Sequence, residues 1–236
     1  MKKYELTEET KVIGGKTLFR IRALRSFGGI KAGDLGGFIE NERNLSHEGN
    51  AWVGDNAKVG GNAKVGGNAK VGGNARVGGY AWVGGYAWVG DNAKVGGDAW
   101  VGDNARVGGY AWVDGYAWVG GNAKVGGDAW VGGNAWVEDN AQVGGYAKVG
   151  GDTRFNGNGL INSNDDYLCE KGLGSHNRSA SFFKCKDGHI HVLCGCFDGN
   201  LDEFENKVKE EHGNSKYAKE YLGFIEVVKT HFEVRQ

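Results

Sequence analysis

The sequence predicts an all-β solenoid, because one short motif repeats with a strict period of six residues. Valine recurs at every sixth position from Val53 to Val149, and an alanine precedes each of these valines by two positions. Alternate residues of a strand face the same side, so alanine and valine point inward and the residue between them points outward. Glycine, asparagine or aspartate usually follows the valine and accepts a turn conformation. Each hexad is therefore one strand and one corner, and three hexads close a triangular coil.

Residues 1–34 precede the repeat and are predicted to form an N-terminal β cap. The stretch KVIGGKTLFRIRAL alternates like a β-hairpin with its turn at Gly14-Gly15. A parallel solenoid exposes unpaired strand edges and its core at each end, which invites end-to-end aggregation. A cap at this position protects one of those ends.

Weaker copies of the hexad extend the solenoid beyond the perfect run. LGGFIE begins at Leu35, Phe155 stands in a valine position, and Ile161 follows six residues later. We therefore assign residues 35–164 to a β-helix of about seven triangular coils, since each coil takes three hexads.

The repeated V-G-G-N-A-K resembles the hexapeptide repeat of the left-handed parallel β-helix superfamily over residues 35–161. The resemblance implies a left-handed coil, and proteins of this superfamily are commonly trimers and often acyltransferases. The flanking stretches YELT, LFRIRAL, KAGDLGGFIE, NLSHEGNAWV and GHIHVLCGCFDGNLDEFENKVKEEHGNSKYAKEYLGFIE are similar to uncharacterised hexapeptide-repeat proteins of phages and prophages. That second resemblance suggests an origin and says almost nothing about activity.

Residues 165–236 are predicted to form a separate C-terminal α+β module of a hairpin and two helices. SFFKCKDGHIHVLCGCF has the pattern of a hairpin that turns at Lys186-Asp187-Gly188. NLDEFENKVKEEHG is predicted to be a helix with Asn200 and Glu203 in a capping box and Gly213 as its stop. SKYAKEYLGFIEVVKTHFEV is predicted to be a second, amphipathic helix.

Every tryptophan of the chain occupies the outward slot between alanine and valine. Positions eighteen apart stack on one face, about 4.8 Å from coil to coil. One face then carries four consecutive tryptophans with a cation at each end, and two corner tyrosines flank them. We call this row the Trp ladder: Lys64, Trp82, Trp100, Trp118, Trp136 and Arg154, flanked by Tyr80 and Tyr116.

An exposed aromatic strip of this length usually marks an interface. Two interpretations remain open: a seam between subunits, or a groove in which indoles stack a base while cations hold a phosphate. The candidate residues for either role include two tryptophans of the neighbouring face: Trp82, Trp100, Trp118, Trp136, Tyr80, Tyr116, Trp112 and Trp130. We also assign a basic face: Lys58, Arg76, Lys94 and Arg106.

Composition excludes several classes of partner. The net charge of −1 argues against nucleic acid as the main partner and against DNA mimicry. No apolar run is long enough for a membrane span, and MKKYELTEETK lacks the apolar core of a signal peptide. We therefore expect a cytoplasmic protein with reduced cysteines, in the host cytoplasm if a phage encodes it.

No metal or cofactor is expected from the sequence. His189, His191, Cys194 and Cys196 are close together, but on a regular strand the histidines face one way and the cysteines the other. The cysteines would share their face with apolar neighbours and pack in a core. Known zinc-ligand spacings are not matched, so a zinc site would need a bulge in this strand.

Catalysis is also not expected. Acyltransferases of the resembling superfamily use a histidine as general base, and the perfect repeat contains none. His47 is the one candidate, yet it stands in a core-phase slot without an evident partner. We expect a non-enzymatic binding protein, a homotrimer that binds a small anionic, nucleotide-like ligand or a host protein. The alternatives are a purely structural trimeric spacer or virion scaffold, and a degenerate acyltransferase.

Overall fold

The computed structural model describes residues 2–174 and 176–233. They form a triangular parallel β-helix, which follows a β-hairpin and precedes an antiparallel sheet with two helices. The predicted solenoid of parallel sheets with about seven coils is confirmed. No helix among the described residues combines the length and the apolar character needed to cross a membrane.

The N-terminal strands are β1 (Tyr4–Ile13), β2 (Lys16–Ala23) and β3 (Leu35–Ile39). The hexad strands follow in chain order: β4 (Trp52–Val53), β5 (Lys58–Val59), β6 (Lys64–Val65), β7 (Lys70–Val71), β8 (Arg76–Val77), β9 (Trp82–Val83), β10 (Trp88–Val89), β11 (Lys94–Val95), β12 (Trp100–Val101), β13 (Arg106–Val107), β14 (Trp112–Val113), β15 (Trp118–Val119), β16 (Lys124–Val125), β17 (Trp130–Val131), β18 (Trp136–Val137), β19 (Gln142–Val143), β20 (Lys148–Val149), β21 (Arg154–Phe155) and β22 (Leu160–Ile161). A 3-10 turn, Glu42–Asn44, precedes β4.

Three parallel sheets form the sides of the triangle. The first runs β4-β7-β10-β13-β16-β19-β22, the second β3-β5-β8-β11-β14-β17-β20, and the third β6-β9-β12-β15-β18-β21. Each coil donates to the next; for example, the Lys58 amide lies 2.9 Å from the Ala75 carbonyl oxygen. The alanine and valine of every hexad are buried, so the predicted inward pair is confirmed.

The corners explain the glycine and aspartate after each valine. Most corners hold a glycine with a positive φ, which glycine adopts without the penalty of a Cβ. Four corners hold an aspartate there instead, each with φ between 51° and 54°: Asp55, Asp91, Asp103 and Asp139. Each of these carboxylates accepts a hydrogen bond from the corner amide one coil later, as Asp103 Oδ2 does from Gly121 at 3.0 Å.

The N-terminal hairpin is confirmed and joins the β-helix through a shared sheet. Gly14 and Gly15 turn with φ of 59° and 76° between β1 and β2. Strand β2 pairs with β3 antiparallel, and β3 pairs with β5 parallel, so the hairpin extends the second side by two strands. Phe38 is buried under this hairpin, with Lys11 Nζ 4.2 Å from its ring centroid.

The placement of His47 in a core slot was wrong. Leu45 fills that slot and pairs with Val65, twenty residues away rather than eighteen, so the chain gains two residues before β4. His47 lies in the added segment and stacks on Tyr4, with ring centroids 4.4 Å apart. Its Nδ1 accepts a hydrogen bond from the Lys3 amide at 3.2 Å. The side chain therefore covers the N-terminal end of the coil.

The C-terminal module begins after a 3-10 turn, Asn164–Asp166. It contains β23 (Tyr167–Leu173), β24 (Arg178–Lys184), β25 (Ile190–Cys194), β26 (Phe197–Asn200), α1 (Leu201–His212) and α2 (Lys216–His231). The four strands form one antiparallel sheet in chain order, and the two helices pack on it. The turn before His189 and the capping box of α1 are confirmed. Strands β23 and β26 were not anticipated.

The prediction that Cys194 and Cys196 share a core face was wrong for Cys196. Gly195 takes φ of 63° and starts a tight turn, so that Cys194 pairs with Phe197 across it. Cys194 is buried in the module core, whereas Cys196 lies exposed at the tip of this turn. A single positive-φ glycine thus breaks the alternation that a continuous strand would have kept.

Candidate ligand cleft and Trp ladder

The Trp ladder has the predicted register on the third side of the β-helix. Lys64 pairs with Trp82, and Trp136 pairs with Arg154, with the remaining tryptophans in line between them. Successive indole centroids lie 5.2, 3.6 and 5.6 Å apart and their planes differ by 16–23°. The four rings therefore form one stack along the coil axis.

The indoles do not stand out from the surface as the outward slot alone would predict. Trp82, Trp100 and Trp118 each fold over the glycine two positions later, where a Cβ would overlap the ring. Within the hexads, the tryptophans followed by such a glycine are buried or half-buried. Trp112 and Trp136 are followed by Asp114 and Glu138 instead, and they are 45% and 38% exposed. Most of the aromatic surface is thus covered by the chain itself.

The flanking tyrosines are exposed at the corners. Tyr80 and Tyr116 are exposed, and so are three further corner tyrosines that were not among the predicted site residues: Tyr86, Tyr110 and Tyr146. On the second side, Trp112 pairs with Trp130, which folds over Gly132 and is half-buried. Exposed aromatic surface therefore lies at the corners and at Trp112 and Trp136, and not along the ladder as a whole.

The basic face holds three of its four assigned residues. Lys58, Arg76 and Lys94 are in register on the second side, but Arg106 lies on the first side, where its guanidinium is 5.3 Å from the Trp88 ring centroid. The three cations line a groove of about 340 Å³ between the β-helix and the N-terminal hairpin. Burial, followed by the charges of Arg76 and Lys11, lowers the pKa of Lys58.

A larger cleft opens where the Trp ladder meets the C-terminal module. Its volume is about 530 Å³. The ladder contributes Trp136 and Arg154, and the Arg154 guanidinium lies 5.0 Å from the Trp136 ring centroid. The module contributes Arg178, Leu193 and Phe197 from three strands of its sheet. We call this space the ladder-end cleft.

The two arginines of the ladder-end cleft, Arg154 and Arg178, form no salt bridge within the described part of the chain. The Arg154 amide, by contrast, is held by Ser181 Oγ at 2.9 Å. This hydrogen bond fixes the backbone at Arg154, whose guanidinium lies over Trp136, while the guanidinium of Arg178 packs against Gly195.

The carboxylates of the cleft mostly have partners. Asp152 accepts from Lys171 at 2.6 Å and from Asn134 at 2.9 Å, and these two hydrogen bonds lower its pKa. Asp198 accepts from Asn156 at 2.8 Å. Glu138 differs, since burial and the Asp139 charge raise its pKa. The Arg154 charge acts to lower the pKa of both Glu138 and Asp152, so these carboxylates partly compensate Arg154 across the cleft.

One buried acceptor in this cleft lacks a donor. Asn156 Oδ1 is buried with no hydrogen-bond partner among the described residues, although its Nδ2 donates to Asp198. A buried acceptor without a donor costs free energy, about 1–3 kcal/mol. The cleft thus offers two guanidinium donors to a bound molecule, and Asn156 Oδ1 lies buried beneath its surface.

Only part of this cleft was predicted from the sequence. Trp136 and Arg154 were recognised through the hexad period, but Arg178, Leu193 and Phe197 lie outside the repeat and were missed. They reach the cleft because the module folds back on the last coils: Gly159 forms an isolated bridge with Cys185. Arg178 stands between Asn177 and Ser179 at the start of RSASFF, and this local pattern does not specify what the strand packs against.

The histidines and cysteines of the module form a second cluster. Cys185, His189 and His191 each have a ligand atom within 4.8 Å of the other two. Cys185 is buried, and burial together with the Asp187 charge raises its thiol pKa to about 11. Proximity in sequence grouped the histidines with Cys194 and Cys196, and the structure groups them with Cys185 instead.

No protein-family model and no curated protein matches this chain at a significant level. Its function is therefore inferred from the geometry of the ladder-end cleft.

Proposed function

We propose that this chain is a non-enzymatic binding protein whose ladder-end cleft holds a small anionic ligand with an aromatic part, of the nucleotide class. The proposal depends on one observation above all: Arg154 and Arg178 line the same cleft, and neither forms a salt bridge among the described residues. Arg154 is exposed and Arg178 is half-buried, and an anion that reaches both guanidinium groups gains two attractive charge interactions. A guanidinium also matches phosphate geometry, since it can donate two parallel hydrogen bonds.

The apolar lining fits the other half of such a ligand. Trp136 keeps more exposed ring surface than the indoles that fold over glycine, and Leu193 and Phe197 face it from the module sheet. Arg154 covers one side of the indole, so a base would pack against its exposed edge and against Phe197. Ligand sites commonly combine such apolar walls with a few polar groups.

Binding without chemistry is part of the proposal. The residues that line the cleft include no histidine, and two of its three carboxylates, Asp152 and Asp198, are held by other side chains, while the third, Glu138, interacts with the Arg154 charge. A general base must be free and within reach of the proton that it takes. His47, the candidate from the sequence, packs on Tyr4 at the other end of the coil. The degenerate-acyltransferase alternative has no comparable arrangement to support it.

The test is equilibrium binding by calorimetry to the full chain. The probes are adenosine monophosphate and guanosine monophosphate, with inorganic phosphate and adenosine alone as the two half-ligands. We expect a nucleotide to bind more tightly than either half, and binding to weaken as salt increases. Arg154→Gln and Arg178→Gln should each weaken binding at least tenfold, since each removes a charged hydrogen bond worth about 1.5–3 kcal/mol.

Arg106→Gln is the matched control. Arg106 also lies in a hexad slot with its guanidinium over a tryptophan, 5.3 Å from Trp88, but it does not line the cleft. We expect this variant to bind like the wild type. Equal losses in all three variants, or no nucleotide binding by the wild type at millimolar concentration, would overturn the proposal. If the chain binds a host protein but no nucleotide, the result would favour the host protein as its partner.

Self-association in the cytoplasm, as a homotrimer, is a second element of the proposal. Trp112 is the most exposed tryptophan, and the corner Tyr110 beside it is also exposed. Aromatic residues are enriched in subunit interfaces. A seam around Trp112 would leave the ladder-end cleft on another side of the triangle, so a trimer and a ligand site are compatible. The alternative function, a purely structural trimeric spacer, would have the subunit seam but would bind no ligand.

A further inference from the structure

The turn between β24 and β25 gathers three side chains that bind transition metals. The Cys185 amide donates to the His189 carbonyl at 2.9 Å, which closes the turn, and His191 follows two residues later. Cys185, His189 and His191 then offer Sγ and two ring nitrogens, all within 4.8 Å of one another. This cluster lies outside the residues that line the ladder-end cleft.

One unprotonated ring nitrogen of His189 faces one unprotonated ring nitrogen of His191. His189 Nδ1 lies 2.5 Å from Asp187 Oδ1, and His191 Nε2 lies 2.7 Å from Asp198 Oδ1. An ionised carboxylate only accepts hydrogen bonds, so each of these ring nitrogens carries the proton. The other nitrogens, His189 Nε2 and His191 Nδ1, are acceptors and lie only 3.3 Å apart. Two acceptors at this distance need a proton or a cation between them.

The spacing matches a tetrahedral metal ion. Nitrogens that each lie about 2.0–2.1 Å from a tetrahedral zinc ion are about 3.3–3.4 Å from each other. The observed separation of 3.3 Å falls on this value. A proton shared by the two imidazoles would explain that contact, but a metal ion would also use the buried Cys185 sulfur, which lies within 4.8 Å of a nitrogen of each ring.

We propose that Cys185, His189 and His191 form a three-ligand site for a divalent transition metal ion of the zinc class. Thiolate and imidazole are the ligands that Zn²⁺ prefers, and three protein ligands leave a fourth position for water. His189 is partly exposed, so solvent reaches that position.

Asp187 and Asp198 are the outer carboxylates of this site. Histidines that bind a metal usually donate their second ring proton to a carboxylate, which fixes the tautomer and orients the ring. Both histidines have such a partner here. Asp198 is in turn held by Asn156 of the last coils, so the site ties the β24–β25 turn to the end of the β-helix. The ion would therefore hold the module in place on the coil.

The experiment uses the full chain after dialysis against a chelator. We expect it to take up one equivalent of Zn²⁺, measured by competition with a chromophoric chelator. Co²⁺ should bind the same site and give the visible bands of a tetrahedral ion together with a thiolate-to-cobalt charge-transfer band. Mg²⁺ should not compete, since it prefers oxygen ligands.

Three variants test the proposed metal ligands and one of their outer carboxylates. Cys185→Ser should abolish the charge-transfer band. His189→Gln, at a partly exposed side chain, should lower Zn²⁺ affinity at least tenfold without disturbing the core. Asp198→Asn should weaken binding by about 10–100-fold through its effect on His191. Cys196→Ser is the control, because Cys196 is an exposed cysteine outside the cluster, and it should bind like the wild type.

Less than one equivalent of tightly bound Zn²⁺ in the wild type would overturn the proposal. The proposal also fails if the charge-transfer band survives Cys185→Ser or disappears in Cys196→Ser. Because Cys185 is buried, circular dichroism must first show that its variant is folded. If that variant is unfolded, the exposed-site variant His189→Gln decides the question through its Zn²⁺ affinity.

Discussion

The indole of Trp100 lies over the backbone of Gly102, in the space that a side chain at position 102 would occupy. Gly102 does not adopt a positive φ, so the backbone alone does not require glycine there. Instead, the position of the Trp100 ring requires glycine at position 102. The outward tryptophans that are followed by such a glycine are therefore half-covered by their own corner, and only Trp112 and Trp136, followed by Asp114 and Glu138, are more exposed.

Gly102→Ala should destabilise the chain. The new methyl group would overlap Trp100, and such overpacking costs about 1–3 kcal/mol. Urea unfolding followed by circular dichroism measures the loss, and a red shift of tryptophan emission would report an expelled indole.

Gly126→Ala is the control for this prediction. Gly126 occupies the equivalent corner after Lys124, and a methyl group added there would have no atom within 4 Å. We expect an effect between zero and a gain of about 1 kcal/mol, because alanine restricts the unfolded chain. Equal destabilisation by both substitutions would mean that the corner, and not the indole, requires glycine.

Asp103→Ala should destabilise the corner more than Asp103→Gly. Both changes remove the hydrogen bond from the Gly121 amide, but only alanine must adopt the φ of 51° without a polar side chain to favour it. The left-handed region costs an ordinary residue about 1 kcal/mol, and the hydrogen bond is worth about 1 kcal/mol. The difference in urea midpoint between the two variants measures the backbone contribution. If alanine were tolerated better than glycine, this account of the four corner aspartates would be wrong.

The repeat made the β-helix predictable, and the cleft was not predictable for a physical reason. A strict alternation of Ala51 and Val53 type residues fixes the inward face, and a constant period fixes the register, so the ladder from Trp82 to Arg154 could be foreseen. The cleft needs Arg178 of another segment to dock against that ladder, and local periodicity contains no information about such long-range packing. The sequence did contain the signal for tryptophan exposure. A glycine two positions after a tryptophan marks a covered indole, whereas Asp114 and Glu138 follow the two exposed tryptophans.

Two local errors have equally specific causes. The hexad count placed His47 in the core because the two extra residues before β4 carry no valine to reveal the shift. The strand alternation placed Cys196 in the core because it assumed a continuous strand, which Gly195 interrupts. Both errors occur where the chain leaves a regular element, and there the period no longer determines which side a residue faces.

Lys3 should make stability rise with pH between about 8 and 10. Its side chain is buried, with Nζ 2.8 Å from the Ala51 carbonyl oxygen, and burial followed by the Arg25 charge lowers its pKa to about 8. The unfolded lysine titrates near 10.4, so between these values the unfolded state binds more protons than the folded state, and raising the pH stabilises the fold. Below pH 8 both states are charged and this dependence disappears.

Paired variants isolate the contribution of Lys3. Other groups titrate in the same range, including Cys185, whose raised pKa has the opposite effect above pH 9. We therefore compare urea unfolding of the wild type and Lys3→Met at pH 7.5 and pH 9.5. The free-energy difference between them should change by up to about 1.4 kcal/mol per pH unit within the window. Lys2→Met, at an exposed lysine, should show no such change, and a parallel pH dependence in both variants would refute the assignment.

Trp112→Lys should convert the proposed homotrimer into a monomer. Trp112 is 45% exposed and lies beside the exposed Tyr110, whereas Trp100 is largely covered by its own corner and by the stacked ladder. Truncating a central aromatic anchor of an interface typically costs about 2 kcal/mol or more, and a charge in its place adds a desolvation cost. Light scattering coupled to gel filtration measures the mass directly. The matched variant Tyr86→Lys changes an exposed corner aromatic that precedes β10 on the first side, and it should leave the mass unchanged if the seam is centred on Trp112. A monomeric wild type would remove the trimer from the proposal, while the ladder-end cleft, which one chain builds alone, would still be open to the nucleotide test.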